Sequence, residues 1–214
     1  MNLKNIKVNF LGDSITEGVG VSGTDKCYHS LIAKNCGLAI ARIYGISGTR
    51  FAKQKSPTTT NPRFDLDFCS RFSEMDDDAD LVVVFGGTND FGHGDAPIGT
   101  MNDRTPDTFY GACHYLMSGL INKYPEAKIV FMTPLHRESE DNLNVNGVNL
   151  EHYVNIIKKT ASYYSIPIID LWSISGIQPR LPIIKERYCP DGLHPNDKGH
   201  ERLAEVIGNA LIRI

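Results

Sequence analysis

The sequence predicts an α/β fold: a three-layer α/β/α sandwich built on a five-stranded parallel sheet. Three observations carry this. Apolar runs of strand length alternate with segments of helical length and periodicity. Leu81-Val82-Val83-Val84-Phe85 is continuously apolar, as a parallel strand buried on both faces requires. Several runs end in small-residue turns, Gly12-Asp13-Ser14, Ser47-Gly48-Thr49 and Gly87-Thr88-Asn89-Asp90. In an open α/β sheet that edge is where ligands bind.

Taken in order, residues 6–11 read as the first strand, with a glycine-containing turn and loop over 12–23. Residues 27–35 have the spacing of a short helix ended by Gly37, and 39–46 form a second strand. Residues 51–62 are polar, with two prolines, and read as a long surface loop. Over 64–75 a helix is expected, with Phe64, Phe68 and Phe72 as a core-facing stripe. Asp76-Asp77-Asp78 reads as a solvated turn, because consecutive carboxylates do not converge on a metal. The third strand is 79–85, followed by a glycine-rich loop to Gly99. Thr105-Pro106-Asp107 is expected to start a helix that runs to Tyr124. The fourth strand is 129–132, a polar loop covers 137–146, and a long helix spans 148–164. The fifth strand is 166–171, an irregular connection covers 172–190, and the last helix starts at Asn196. No linker, repeat or low-complexity tract divides the 214 residues, so one domain over 1–214 is expected.

Composition narrows the function classes. The chain is 41% hydrophobic and 22% charged with a formal net charge of -3, ordinary for a soluble globular protein. It has no basic cluster for nucleic acid and no apolar stretch near the ~18 residues of a membrane span. Residues 1–7 run straight into a strand without the apolar core of a signal peptide. Five cysteines lie scattered without a CxxC pair, which fits reduced thiols and a cytoplasmic location. A secreted form whose signal has been removed stays open. Cys189 stands close to Asp191 and His194 and is the one thiol singled out.

The chemistry follows from what meets at the strand ends. A serine hydroxyl is a weak nucleophile until a neighbouring base takes its proton. Ser14 is the candidate nucleophile and His194, in Asp191-Gly192-Leu193-His194-Pro195, the candidate base. Asp191 is near enough to orient the imidazole and stabilise its cation. The oxyanion of a tetrahedral intermediate needs fixed donors. The backbone N–H groups of Ser14 and Gly48 and the side-chain amide of Asn89 are the candidates.

These blocks resemble the SGNH hydrolase family, also called GDSL esterases and lipases. Gly12-Asp13-Ser14, Ile46-Ser47-Gly48-Thr49, Gly87-Thr88-Asn89-Asp90 and Asp191-Gly192-Leu193-His194-Pro195 match its four blocks in the family order, with Ile15 where the first block usually has Leu. The resemblance implies a flavodoxin-like SGNH fold and a Ser14–His194–Asp191 triad. It also implies an oxyanion hole of Ser14, Gly48 and Asn89. An α/β-hydrolase elbow, Gly-x-Ser-x-Gly, does not fit, because Thr16 stands at the second glycine.

Around the substrate the reading sets Asp13, Arg50, Thr88 and His136. Asp13 is read chiefly as holding the turn, and Asp90 as structural. Among the other histidines, His114, His152 and His200 fall in expected helices as surface or packing residues. His93 and His136 stand where they could line the pocket. Asp191 and His194 lack a third and fourth ligand for a metal, and no cofactor is expected. The polar loops and the absence of a long apolar lid favour a small-molecule or carbohydrate ester, with an O-acetyl sugar drawn from family analogy. An acyltransferase using the same residues, and a non-catalytic domain holding an anion on its glycine turns, are the alternatives.

Overall fold

The computed structural model describes residues 1–59 and 61–214. Five strands form one parallel sheet: β1 (Lys7–Gly12), β2 (Ile40–Gly45), β3 (Leu81–Phe85), β4 (Lys128–Met132) and β5 (Ile168–Ile169). Their spatial order is β2-β1-β3-β4-β5, the flavodoxin-like order that reverses direction between β1 and β3. Register puts Gly12 beside Gly45 on one flank and Phe85 on the other, so the turns after β1, β2 and β3 begin at one level.

Side chains alternate across a strand, and β3 shows what that does to an all-apolar run. Leu81, Val83 and Phe85 join Val8, Phe10, Val130 and Met132 under α2 (Tyr28–Cys36) and α9 (Asp197–Arg213). Val82 and Val84 join Leu11 and Phe131 under α5 (Phe109–Lys123) and α6 (Leu150–Tyr163). Two cores, one on each face, make the three layers. β2 is an edge strand with Ile40 and Ile43 partly exposed. Arg42 on β2 and Lys7 on β1 pair with Asp76 and Asp78, and Lys123 with Asp77, so the acidic run caps this edge as a solvated ion-pair cluster.

Several expected elements differ. The turn after β1 is already helical, α1 (Ser14–Glu17), and the glycine-rich segment after β3 opens with α4 (Thr88–His93). The helix expected over 64–75 is broken into a 3-10 turn (Pro62–Asp65), α3 (Phe68–Arg71) and a second 3-10 turn (Phe72–Glu74). Leu66 is non-helical, and the Asp67 side chain caps a new start by accepting from Ser70 N–H at 2.8 Å. Phe68 and Phe72 are core residues, whereas Phe64 lies at the candidate site. α5 begins at Phe109 because Thr108 supplies the cap, its hydroxyl accepting from Gly111 N–H at 3.0 Å. Pro106 stays outside it. β5 has only two residues, since Pro167 has no N–H to give and Asp170 already starts α7 (Leu171–Ile174). The connection over 172–190 also contains α8 (Pro182–Tyr188). No helix among the described residues is long and apolar enough to cross a membrane.

Candidate active site

The β1 strand hands its last residue to a turn that only glycine permits. A Cβ on Gly12 would lie 2.0 Å from Thr16 Oγ1, because α1 folds back over the strand end. Asp13 caps α1, its carboxylate accepting from Ile15 N–H at 3.1 Å. Burial pushes this carboxyl up to about 6, against the pull of that bond, His194 and Arg71. Ser14 follows as the first helical residue, nearly buried. No hydrogen bond from the backbone N–H of Ser14 or Gly48 is formed among the described residues.

The chain returns to this point 180 residues later. Gly192, with φ +78°, turns the loop before α9 so that Asp191 faces its own successors. Its Oδ1 accepts from the N–H groups of Leu193 at 2.8 Å and His194 at 2.7 Å. Its Oδ2 lies 2.7 Å from His194 Nδ1, and His194 Nε2 lies 3.0 Å from Ser14 Oγ. An ionised carboxylate only accepts, so Nδ1 carries the proton and Nε2 is left to accept from the serine hydroxyl. Partial burial acts to raise the Asp191 carboxyl. The two backbone donors and His194 outweigh it and hold the group below the usual carboxylate range. Cys189, just upstream, is buried and its thiol is pushed up to about 12, by burial first and then by Asp191. It stays protonated.

Facing this line are the turns after β2 and β3. Gly48 has φ +75°, and a Cβ there would lie 2.3 Å from the Phe64 ring, so both backbone and space demand glycine. Asn89 Nδ2 donates to Thr49 O at 3.0 Å, joining the two turns and leaving its second N–H uncommitted to that bond. Asp90 braces the same loop, its oxygens accepting from Phe51 N–H at 2.9 Å and Ala52 N–H at 3.0 Å.

Of the residues expected around a substrate, Arg50 is the one the geometry turns away. Its side chain is 4% exposed, paired with Asp65 at 2.9 Å and bonded to Phe64 O and His93 Nδ1. The aliphatic stem is buried and the charge is spent on the protein. Thr88 is buried, its O and Oγ1 accepting from Arg137. His136 stands at the rim, its ring tilted against Trp172 with centroids 3.8 Å apart, and bonded to Glu140 at 2.8 Å. With Asp13, Thr88 and Leu193 it lines a tightly packed seam beside the serine turn that has no room for a water molecule and holds none of Ser14, His194 or Asn89. A wider, open depression between Gly20, Ile183 and Lys198 holds none of Ser14, His194 or Asn89.

Sequence reasoning missed three contributors and set a fourth, His93, at the pocket without its role. Arg71 reaches Gly12 O at 2.7 Å and Thr49 Oγ1 at 3.0 Å from beneath. Glu17 accepts from Ser47 N–H at 2.6 Å and from Arg63 at 2.7 Å. Phe64 packs on Gly48, and His93 contacts Asn89. Only the last had a local signal: Asn89 and His93 are four apart on one helix face. Among the described residues no cluster of three or more His, Cys, Asp or Glu side chains is arranged to hold a metal ion.

The profile of the GDSL-like lipase/acylhydrolase family matches residues 10–202, a span that includes the three strand-end blocks and the block before α9. The chain belongs to this family. One solved structure is 36% identical over 100% of this chain and 99% of its own, with a TM-score of 0.89. A protein from Lactobacillus plantarum is 28% identical over 98% of both chains, with a TM-score of 0.84. An acetyl xylan esterase shares the fold at 24% identity, covering 96% of this chain and 100% of its own, with a TM-score of 0.65. No curated protein matches the chain. As a GDSL-family chain it falls among hydrolases, and its parallel five-stranded sheet is that of its structural neighbours.

Proposed function

We propose that this GDSL-family protein is a serine esterase that hydrolyses short acyl esters through an acyl-enzyme. The observation that carries the reading is the hydrogen-bonded line from Ser14 Oγ through His194 to Asp191, with steps of 3.0 and 2.7 Å. His194 takes the serine proton as Oγ attacks the ester carbonyl, and Asp191 stabilises the imidazolium. The N–H groups of Ser14 and Gly48 and the Asn89 amide receive the developing oxyanion. Such donors are each worth about 3 kcal/mol in the transition state. His194 then protonates the leaving alcohol, activates a water against the acyl-enzyme and regenerates Ser14.

A small acyl group is favoured by the Phe64 ring closed over Gly48. A carbohydrate O-acetyl ester is supported by the polar rim, which includes His93, His136 and Arg137. The shared fold of an acetyl xylan esterase agrees with it. Asp13 and Thr88 serve the site by shaping its floor.

A fluorophosphonate probe tests the nucleophile. The expected result is a single adduct on the peptide carrying Ser14, found by mass spectrometry. An adduct on another serine, or none, would contradict the reading.

A further inference from the structure

His93 closes α4, one turn beyond Asn89 on the same face. Its Nε2 lies 3.2 Å from Asn89 Oδ1, and its Nδ1 lies 3.1 Å from Arg50 Nη1. A guanidinium has no acceptor to offer and does not lose its proton in proteins. Nδ1 therefore accepts, and Nε2 carries the hydrogen. A donor at Nε2 requires an acceptor opposite, which makes the nearer Asn89 atom its oxygen. The same assignment places Asn89 Nδ2 against Thr49 O, a carbonyl that can only accept. Two independent contacts thus fix the amide in one orientation.

Arg50 is itself held on several sides. Asp65 Oδ1 and Phe64 O accept from its Nη2, each at 2.9 Å. Asp65 is in turn bonded by Thr58 N–H and by the Thr58 hydroxyl, each at 2.7 Å. The chain of contacts runs Thr58, Asp65, Arg50, His93, Asn89, and ends at the candidate oxyanion donor. Arg50 lies in the loop after β2 and His93 at the end of the helix after β3, so the chain also ties the two oxyanion turns together.

We propose that His93 is a positioning residue, locked by Arg50 as the Nε2–H tautomer so that its bond to Asn89 Oδ1 aims Asn89 Nδ2 at the oxyanion. This rests on the serine-esterase reading above. His93 touches no reacting atom and acts only through Asn89. The residue is exposed, and besides these bonds its ring meets the edge of the site at the Phe64 ring, with centroids 5.8 Å apart. Partial burial of the ring, and the facing cations Arg50 and Arg137, hold the imidazole's pKa below that of a free histidine. That keeps the proton count the arrangement needs.

The role predicts coupling of a definite form. The oxyanion bond is made in the transition state, so loss of aim lowers kcat and leaves KM unchanged. With p-nitrophenyl acetate, His93→Leu is expected to lower kcat about 10- to 100-fold, part of what losing a whole donor costs. In an Asn89→Ala background, His93→Leu should have no further effect. Nitrogen NMR of the unaltered protein should show His93 with a protonated Nε2 and a bare Nδ1. Wild-type kcat in His93→Leu, an undiminished cost in the Asn89→Ala background, or the opposite tautomer in the spectrum would each overturn the proposal. Failure of the esterase reading is read separately, from Ser14→Ala, which keeps the His93–Asn89 contact and removes the nucleophile.

Discussion

At the scale of single residues, burial decides charge around the serine turn. His29 Nε2–H donates to Thr16 O at 3.0 Å, and His200 Nδ1 accepts from Tyr28 N–H at 3.0 Å. Burial pushes each imidazole down to about 4. The unfolded chain takes these protons near pH 6.5, so each group's contribution is present above that pH and is lost as pH falls toward 4. Each is worth about 3 kcal/mol. Asp13 and Asp90, pushed by burial up to about 6 and about 7, act with the opposite sign and gain stability over the same descent. The two sets offset one another in the whole protein, so a variant is needed to see either. His200→Asn keeps an acceptor for Tyr28 N–H and removes the titration. Its deficit in unfolding free energy relative to the parent should shrink by about 3 kcal/mol between pH 7 and pH 4 in urea melts. A deficit independent of pH would contradict this. His200 was readable in sequence as a surface or packing residue of a helix, but the burial that depresses its pKa and its partner Tyr28, 172 positions away, are set by the tertiary fold, which no local pattern reports.

At the scale of elements, Arg71 decides where the strand ends sit. It lies on α3 in a buried position, stacked 4.6 Å from the Phe68 ring centroid. Its guanidinium donates to the carbonyls of Gly12, Tyr44 and Leu66 and to the Thr49 hydroxyl. Burial lowers it only to about 10, so it is a cation at neutral pH. One side chain therefore satisfies the ends of β1 and β2 and the turn that carries Gly48. Arg71→Met should destabilise the fold by about 3 kcal/mol, because three carbonyls lose their donor and the stem alone is replaced. Denaturant midpoints check this, and a change under 1 kcal/mol in magnitude would show that the carbonyls are served otherwise. The phenylalanine spacing over 64–72 does suggest a helix. It could not reveal that Leu66 breaks the helix so that its carbonyl, with two strand ends, meets Arg71. β3 was legible because a continuous apolar run has few other uses, and β1 because an apolar run interrupted only at Asn9 ends in the Gly12 turn. β5 was placed but read too long, and α8 was missed, because Pro167, Asp170 and Pro182 reset the backbone over a few residues.

At the scale of the whole molecule, the strand order turns four distant blocks into one place. The reversal between β1 and β3 opens the crevice, and the parallel register brings Gly12, Gly45 and Phe85 to one level. The loop before α9 then closes over it with Asp191 and His194. The blocks could be read in the sequence because three of them end strands at the same sheet edge and the fourth stands just before the last helix. Their supports, Arg71, Arg50 with Asp65, and Phe64, were hidden in segments that read as core helix or polar loop. Under the proposed function Ser14 performs the chemistry at this edge. The most direct measurement is p-nitrophenyl acetate turnover by Ser14→Ala, with folding checked by circular dichroism. Removing a triad nucleophile should lower kcat by at least about 10³-fold with the fold unchanged. Turnover at the parent rate by the folded variant would contradict the account.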